Sequence, residues 1–254
     1  MERLEMNHVS KCFKHVNALD DVSLRLEKGE CLGVLGESGS GKSTLAKLLL
    51  GIDTATCGQI LMDGKPLNLK KRDTVRNFRK EVQMVFQDAT SSLNPKLPLW
   101  KSILEPLSNF KEITPSYMKH EKSGEKETAA DLLSLFGMER EMIERYPDEL
   151  SGGQKQRAVV ARALSIEPSF LVCDEPTSSL DVTVQLDLLH LLKEKQQEQR
   201  MGLLFISHDV KAVVFLCDRI VVMKNGKVVD ECKRSELYSE DRHPYTKALI
   251  KAAR

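Results

Sequence analysis

One segment, Gly36–Thr44, constrains this chain more than any other part of its 254 residues. It reads GESGSGKST and matches the pattern G-x-x-x-x-G-K-[ST] in full. The apolar run Cys31–Leu35 before it predicts a strand buried on both faces, and Lys42–Leu50 after it predicts a helix that ends at Gly51. A strand, a glycine-rich turn and a helix in this order predict a loop that wraps a phosphate group.

The residue types in this phosphate loop suit the binding of a nucleotide. Glycines lack a Cβ, so successive backbone N–H groups can close around an anion, and the following helix adds the positive end of its dipole. Lys42 supplies positive charge to the β- and γ-phosphates, the Ser43 hydroxyl is a ligand for Mg²⁺, and Thr44 contacts the α-phosphate. The predicted nucleotide-binding residues of the loop are Gly36, Glu37, Ser38, Gly39, Ser40, Gly41, Lys42, Ser43 and Thr44.

Sequence patterns for two other nucleotide classes are missing. The pattern G-x-G-x-x-G of dinucleotide-binding folds does not occur, which disfavours a Rossmann domain. The Asn/Thr-Lys-x-Asp segment that usually accompanies guanine specificity does not occur either. We therefore expect ATP with Mg²⁺ rather than GTP or NAD.

Two adjacent acids, Asp174 and Glu175, follow a second apolar strand that begins near Phe170. Ligands of a parallel sheet bind beyond the carboxyl ends of its strands, so these acids are expected to face the phosphates. Asp174 is then placed to hold Mg²⁺, and Glu175 to orient and deprotonate the attacking water. Read alone, the pair would also fit a solvated turn; the phosphate loop favours the catalytic interpretation.

Composition narrows the class of partner. Lys and Arg (38) nearly balance Asp and Glu (37), and a net charge of +1 gives no basic excess that would indicate nucleic acid. The six cysteines form no C-x-x-C pair, which argues against a disulfide framework and a zinc site. No apolar run reaches the roughly 20 residues that cross a bilayer, and the N-terminus lacks the apolar stretch of a signal peptide. We expect a cytoplasmic location.

The alternation of predicted strands and helices indicates an α/β fold. Strands at 169–174 and 203–207 alternate with helices at 152–165 and 182–199, which predicts a parallel, doubly wound sheet. From about Trp100 to Tyr146, periodic apolar residues with few β-branched neighbours predict a mostly helical insert.

A second anion-binding helix start is predicted at Leu150–Gln154, which we call the glycine segment. Ser151, two glycines with free N–H groups and a helix dipole repeat the chemistry of the phosphate loop. One nucleotide has no obvious need for two such starts from one chain. The segment would make sense if it served the γ-phosphate of a nucleotide held by a partner chain. Taken alone, it could equally be a capped helix with a glycine turn.

The motifs together resemble the ABC ATPase family along essentially the whole chain. They occur in the family's order, namely the phosphate loop, Gln87, Leu150–Gln154, Asp174–Glu175, the segment 178–181 and His208. The resemblance implies that Gln87 touches Mg²⁺ or water and senses a membrane subunit, and that His208 contacts the γ-phosphate. It also implies that Asp181 lies in a loop that crosses the dimer seam. Phe13 takes the place of the family's adenine-stacking aromatic, although a core role would suit it too.

The family fold implies an α/β, RecA-like P-loop NTPase core with an N-terminal antiparallel β part and an inserted α-helical subdomain. A single domain over 1–254 would then place the core at about 1–99 and 166–254, and the helical subdomain at about 100–165. The resemblance further implies a head-to-tail dimer in which a partner's nucleotide contacts Ser151, Gly152, Gly153 and Gln154.

Three segments look like the peptide and nickel importer branch of the family: Gln87–Pro95, Leu180–Gln185 and Arg242–Leu249. The implied partners are a second ATPase subunit (a homodimer or a heterodimer), two membrane permease subunits and, indirectly, a substrate-binding protein. The chain would sit peripherally at the cytoplasmic face of the membrane. Some branch members continue into a cysteine-bearing tail, whereas this chain stops at Arg254, so we expect no iron–sulfur cluster.

The stretch after Gln87, with Leu93, Pro95, Leu97 and Trp100, would lie where the permeases dock. An exposed Trp and Leu there would fit a docking patch, although Trp100 could equally be buried in the subdomain. The rival class is a soluble ABC ATPase of DNA repair or translation. Such proteins carry long coiled-coil inserts or two ATPase halves, and the sequence has neither. A binding module without turnover would be expected to lack Glu175 or Lys42.

Overall fold

The computed structural model describes residues 2–14, 16–88, 92–118, 124–178 and 180–253. Its strands form one antiparallel and one mostly parallel sheet. The strands are β1 (Arg3–Phe13), β2 (Val16–Glu27), β3 (Cys31–Leu35), β4 (Cys57–Met62), β5 (Lys65–Pro66), β6 (Val82–Val85), β7 (Phe170–Asp174), β8 (Gly202–Ser207), β9 (Arg219–Lys224) and β10 (Lys227–Lys233). The α-helices are α1 (Lys42–Leu49), α2 (Arg72–Glu81), α3 (Leu99–Ile103), α4 (Glu105–Asn109), α5 (Glu125–Leu135), α6 (Gly152–Leu164), α7 (Val182–Gln199), α8 (Val210–Leu216) and α9 (Pro244–Ala252).

The larger sheet has the strand order β10-β9-β3-β8-β7-β6. Strand β3 runs parallel to both β8 and β9, so that Val34 lies opposite Ile206 and Val221. Every residue of β3, β7 and β8 is buried, which explains their nearly continuous apolar sequences: both faces of this sheet are covered. Parallel strands end at one edge of a sheet, so the residues that follow β3, β6, β7 and β8 meet there.

Side chains from the two faces of this sheet belong to two separate apolar cores. Val34 and Val172 pack in a core with α1 and the antiparallel sheet. Leu171 and Phe205, from the other face, pack in a core with the helices between β6 and β7 and with α7 and α8. The sheet is therefore the layer that joins the two cores.

The smaller sheet has the order β2-β1-β4-β5. Leu4 and Met6 face the core in alternation, as expected for a half-buried strand. The pairing of β1 with β2 shifts register between Met6 and Val9, and His8 has a positive φ of 49° there. The irregularity keeps Val9 on the buried side.

Helices α3 to α6 fill the chain between β6 and β7, where the sequence predicts a helical insert, and Ile103 and Leu133 are buried in their shared core. Within the described residues, none of the helices combines the length and the apolar character that a bilayer crossing requires. A parallel sheet with an antiparallel β part and a helical insert confirms the predicted fold class. Predicted bounds are correct to within one or two residues for β7, α6, α7 and β8.

Candidate active site

A cleft of about 880 Å³ opens at the carboxyl edge of the parallel sheet. We call it the phosphate cleft. It brings together the phosphate loop after β3, Gln87 after β6, Glu175 after β7 and His208 after β8. Its lining consists of Val16, Asn17, Ala18, Glu37, Ser38, Gly39, Gly41, Lys42, Ser43, Thr44, Gln87, Glu175, His208 and Asn225. Most of the predicted nucleotide-binding residues therefore share one cavity.

Close backbone contacts require glycine at two positions of the phosphate loop. A Cβ on Gly41 would lie 2.6 Å from the carbonyl oxygen of Ala18, and the φ of Gly41 is 104°, which side chains rarely tolerate. A Cβ on Gly36 would lie 2.5 Å from the carbonyl oxygen of Met223. Because the neighbouring groups are backbone, they cannot move aside cheaply. The loop is thus held against β2 and the end of β9.

Lys42, the first residue of α1, is buried and bonded within its own loop. Its Nζ donates to the carbonyl oxygen of Gly36 at 2.8 Å and to that of Glu37 at 2.9 Å. Burial lowers the pKa of Lys42, and the nearby carboxylates of Glu175 and Asp174 act in the opposite direction. The ammonium group thus lies in the cleft, close enough to Asp174 and Glu175 for their charges to affect its pKa.

Asp174 ends β7 and is nearly inaccessible to solvent. Burial raises the pKa of its carboxyl group, while a hydrogen bond with Ser43 and the charge of Lys42 counteract the rise. Its Oδ1 is buried and has no hydrogen-bond partner among the described residues. A hydroxyl and an unpaired carboxylate oxygen are the donors that Mg²⁺ prefers, so Ser43 and Asp174 fit this ion.

Glu175 and His208 form a pair at the mouth of the cleft. The Nδ1 of His208 lies 3.1 Å from Oε2 of Glu175, and the histidine side chain is 62% exposed against 19% for the glutamate. Glu175 has a φ of 48°, in the left-handed region, and its N–H donates to the carbonyl of Ile206 at 2.9 Å. Backbone strain of this kind costs about 1–3 kcal/mol and is common at functional sites. The bond to β8 holds the carboxylate next to the histidine.

Gln87 and Phe13 differ in their placement. Gln87 is exposed just after β6 and lines the cleft. Phe13 is 45% exposed at the end of β1, with the Nζ of Lys11 at 4.6 Å from its ring centre, and it is not among the lining residues. Val16, Asn17 and Ala18, a few residues later in the sequence, line the cleft instead. The adenine-stacking role of Phe13 stays a prediction.

The glycine segment lies outside the phosphate cleft of its own chain. Ser151 caps α6: its Oγ accepts from the N–H of Gln154 at 3.3 Å, and its own N–H donates to Oε1 of Gln154 at 2.9 Å. The start of α6 instead packs on the start of α7, since a Cβ on Gly153 would lie 2.5 Å from Cγ1 of Val184. Asp181 caps α7 by accepting from the N–H of Val184 at 3.0 Å.

Two segments of the family pattern extend beyond the described residues. Ser179, next to Asp181, and Ala89, Thr90 and Ser91, after Gln87, lie outside them. Of the predicted docking stretch, Leu93 is buried in the core, so it cannot contact a partner there. Pro95 is exposed, Leu97 and Trp100 are partly buried, and Trp100 packs against the core of the helical segment. Of the two alternatives for Trp100, packing in the helical segment agrees with the structure, and the lysines Lys101 and Lys126 also lie over its ring.

Asn17 and Asn225 also line the cleft, although no motif in the sequence indicates them as site residues. Asn225 and Gly226 form the turn between β9 and β10 with φ values of 50° and 77°. The N–H of Gly226 donates to the carbonyl of Ser40 at 3.0 Å, so this turn contacts the phosphate loop directly. The Asn-Gly dipeptide between two apolar runs is the signal that predicts the turn, but it carries no information about the contact.

Fold and phosphate cleft together define a P-loop ATPase. The family model described as ABC transporter matches residues 19–178, and the chain belongs to this family.

Curated relatives support the assignment over nearly the whole chain. A "Probable peptide ABC transporter ATP-binding protein" of Sinorhizobium fredii is 44% identical over 238 residues, which are 94% of this chain and 65% of that protein. The oligopeptide transport ATP-binding protein OppF of Haemophilus influenzae is 41% identical over 98% of this chain and 77% of its own length. The chain thus spans about two thirds to three quarters of these two relatives.

Solved structures agree. The dimeric ATP-binding cassette MJ0796, in a post-hydrolysis state with ADP and Pi, superposes with a TM-score of 0.79 at 30% identity, covering 91% of this chain and 98% of that one. CbiO1 of Clostridium perfringens, part of an ABC transporter complex, gives a TM-score of 0.81 at 28% identity, covering 98% and 93%. The fold of this chain is therefore that of an ABC ATPase cassette.

Proposed function

We propose that this chain binds ATP with Mg²⁺ and hydrolyses it as the ATPase subunit of an ABC importer for peptides. The observation that carries the catalytic part is the Glu175–His208 pair, which lies in the same cleft as the phosphate loop. In this proposal Glu175 accepts a proton from the attacking water. His208 orients the carboxylate and contacts the γ-phosphate, and Lys42 neutralises phosphate charge.

Magnesium would be held by the Ser43 hydroxyl and the Asp174 carboxylate, with Gln87 near its water shell. When bound, the ion supplies charge neutralisation at the β- and γ-phosphates. The unpaired Oδ1 of Asp174 supports this assignment.

The chain is proposed to work as a head-to-tail dimer. Its glycine segment contains the N-terminus of α6, where Ser151 and Gln154 cap each other's backbone N–H groups. This helix end does not line the phosphate cleft of its own chain. A partner's nucleotide is the anion that this helix end would receive. The MJ0796 cassette is itself dimeric, which supports the arrangement. Asp181, beside the glycine segment, would then lie at the seam between the two chains.

Peptide is the proposed cargo class because both relatives described above carry peptide or oligopeptide transport in their names. Neither name mentions nickel, so the nickel alternative has less support. The proposed partners are a second ATPase subunit and two permease subunits, which would hold the chain at the cytoplasmic face of the membrane. A substrate-binding protein would act indirectly through the permeases.

The surface proposed to receive a permease is a groove of about 660 Å³ that Phe86, the residue before Gln87, helps to line. Ile52 and Phe86 line it and are 52% and 42% exposed. Arg79 and Arg162 also line this groove, and the guanidinium of Arg162 is paired with Glu105 at 2.7 Å. We propose that the helices at about 100–165 form one subdomain and that about 1–99 and 166–254 form the core. The groove lies between these two parts. Motion between them would transmit the state of the cleft to the permease.

The decisive test is the variant Glu175→Gln. It keeps the shape of the side chain but removes its basicity, so ATP binding should persist while hydrolysis falls by about 10²–10⁴. Equilibrium binding of a fluorescent ATP analogue and a phosphate-release assay measure the two quantities. Near-normal hydrolysis in the variant would remove Glu175 from the role of general base.

Transport coupling is tested by affinity capture from the chain's own membranes. The unmodified chain should recover permease proteins, and Phe86→Glu should lose them while retaining ATP binding. Tyr238→Glu, at a tyrosine that is 57% exposed elsewhere, is the matched control. Recovery of nucleic acid in place of membrane proteins would refute the importer assignment and favour the soluble alternative.

A further inference from the structure

The C-terminal helix α9 contacts the phosphate loop through one hydroxyl group. The backbone N–H of Glu37, the second residue of the loop, donates to Oη of Tyr245 at 3.3 Å across 208 positions of sequence. Tyr245 itself is 8% exposed and belongs to the apolar core on that side of the sheet. A backbone N–H carries one proton, so this one is committed to the helix and is not available to a phosphate oxygen.

The position of that hydroxyl is fixed by the way α9 is anchored. Asp230 on β10 accepts at one oxygen, Oδ2, from the backbone N–H of His243 at 2.9 Å and from the Thr246 hydroxyl at 2.8 Å. Its other oxygen accepts from Arg242 at 3.3 Å. The Nδ1 of His243 then caps the helix by accepting from the N–H of Tyr245 at 3.1 Å. Because the carboxylate of Asp230 is largely buried, these bonds hold the first turn of α9 firmly.

The preceding hairpin contacts the same loop at Gly36 and at Ser40. The N–H of Gly226 donates to the carbonyl of Ser40 at 3.0 Å, and the carbonyl of Met223 lies where a Cβ on Gly36 would clash. The Nζ of Lys224 lies 4.5 Å from the ring centre of Tyr245, which joins the hairpin to the helix. The stretch 223–246 therefore contacts the phosphate loop at three points.

We propose that Tyr245 is a positioning residue for the phosphate loop, which it holds ready for the nucleotide. The inference rests on the proposed function, because it concerns the same cleft. An anion-binding loop works best when its N–H groups already point at the phosphate, since ordering them during binding weakens affinity. The Tyr245 hydroxyl fixes Glu37 and so fixes the start of the loop. It does not contact Glu175 or His208, so it acts on binding and leaves the hydrolysis step unchanged.

The test is Tyr245→Phe, which removes only the hydroxyl and keeps the ring packed in the core. Loss of one hydrogen bond that leaves the Glu37 N–H unpaired should raise both the KM and the equilibrium Kd for ATP by about 3–10-fold. The kcat should stay within about twofold of the unmodified chain. Tyr238→Phe, the same change at the exposed tyrosine, is the matched control and should alter neither constant.

A double-variant experiment separates the hydrogen bond from a general packing effect. Glu37→Pro removes the donor N–H, so Tyr245→Phe should have no further effect on the Kd in that background. An unchanged Kd in Tyr245→Phe, a fall in kcat with unchanged KM, or a full additional effect in the Glu37→Pro background would each overturn the inference. Failure of the unmodified chain to bind ATP would refute the proposed function, whereas normal ATP binding by both the unmodified chain and Tyr245→Phe would refute the positioning role alone.

Discussion

The contact between α6 and α7 makes a sharp prediction about two neighbouring glycines. Gly152 and Gly153 both open α6, and neither has a positive φ. A Cβ on Gly153 would lie 2.5 Å from Cγ1 of Val184, whereas the nearest atom to a Cβ on Gly152 is Cδ2 of Leu180 at 4.0 Å. Both substitutions add one methyl group. Gly152→Ala places it in open space, whereas Gly153→Ala places it where Val184 already lies.

The expected magnitudes come from two opposing effects. Alanine favours a helix over glycine by up to about 1 kcal/mol, and this gain applies to both positions. Overpacking costs about 1–3 kcal/mol, and it applies only to Gly153. Val184 is β-branched and stiff at χ1, so it cannot simply rotate away. Gly153→Ala should therefore be less stable than Gly152→Ala by about 1–3 kcal/mol.

Urea denaturation and thermal melting of the isolated chain, without nucleotide, measure the difference. For a chain of this size, it corresponds to a gap in Tm of roughly 3–10 °C. Adding Val184→Ala to Gly153→Ala should recover most of the lost stability, because it removes the clashing methyl groups. Equal or greater stability of Gly153→Ala relative to Gly152→Ala would refute the close contact between the two helices.

Further predictions concern the cleft. Asp174→Asn should abolish Mg²⁺-dependent ATP binding yet raise the Tm near neutral pH. Burial raises the pKa of Asp174, so the contribution of this carboxyl group to stability is fully present below its ordinary pKa and is lost as pH rises through the raised one. Thermal melts across about pH 4 to 8 should show that the difference in Tm between Asp174→Asn and the unmodified chain shrinks as the pH falls. A difference that stays constant would contradict the raised pKa of Asp174 as its cause. His208→Ala should lower hydrolysis by about 10²–10³ while ATP binding persists, because it removes one donor to the γ-phosphate; phosphate-release and binding assays measure the two effects. Gly41→Ala should cost at least about 1 kcal/mol in urea denaturation and weaken ATP binding, since the new Cβ meets the Ala18 carbonyl; unchanged stability would contradict that contact.

The central strands were predictable because the physical cause of their burial is visible in their composition. Strands β3, β7 and β8 are covered on both faces, so their sequences are apolar at nearly every position. Helix α7 was predictable because Asp181 supplies its N-cap. Helix α2 was missed: Val75 and Phe78 are its only apolar side chains and only Phe78 is buried, so the apolar pattern that predicts a helix is too short to stand out.

The cleft likewise contains residues that the local sequence indicates and residues that it does not. The phosphate loop and the acid pair are contiguous in sequence, and their chemistry can be inferred from adjacent residues. Gly226 and Tyr245 reach the loop only because the sheet places β9 beside β3. No local pattern encodes such a contact. The side of the cleft next to Val16 was missed for a related reason, since its position depends on how the antiparallel sheet lies on the core.

The bonds of Lys42 within its own loop have a consequence for how the cleft responds to ligands. An ammonium group has three N–H donors, and the backbone carbonyls of Gly36 and Glu37 accept from two of them. Because carbonyl groups are neutral, these bonds fix the direction of the Nζ without cancelling its charge. An anion that enters the cleft would meet an ammonium group that is already oriented, with one donor left to bond it. Little side-chain entropy of Lys42 would then be lost on binding.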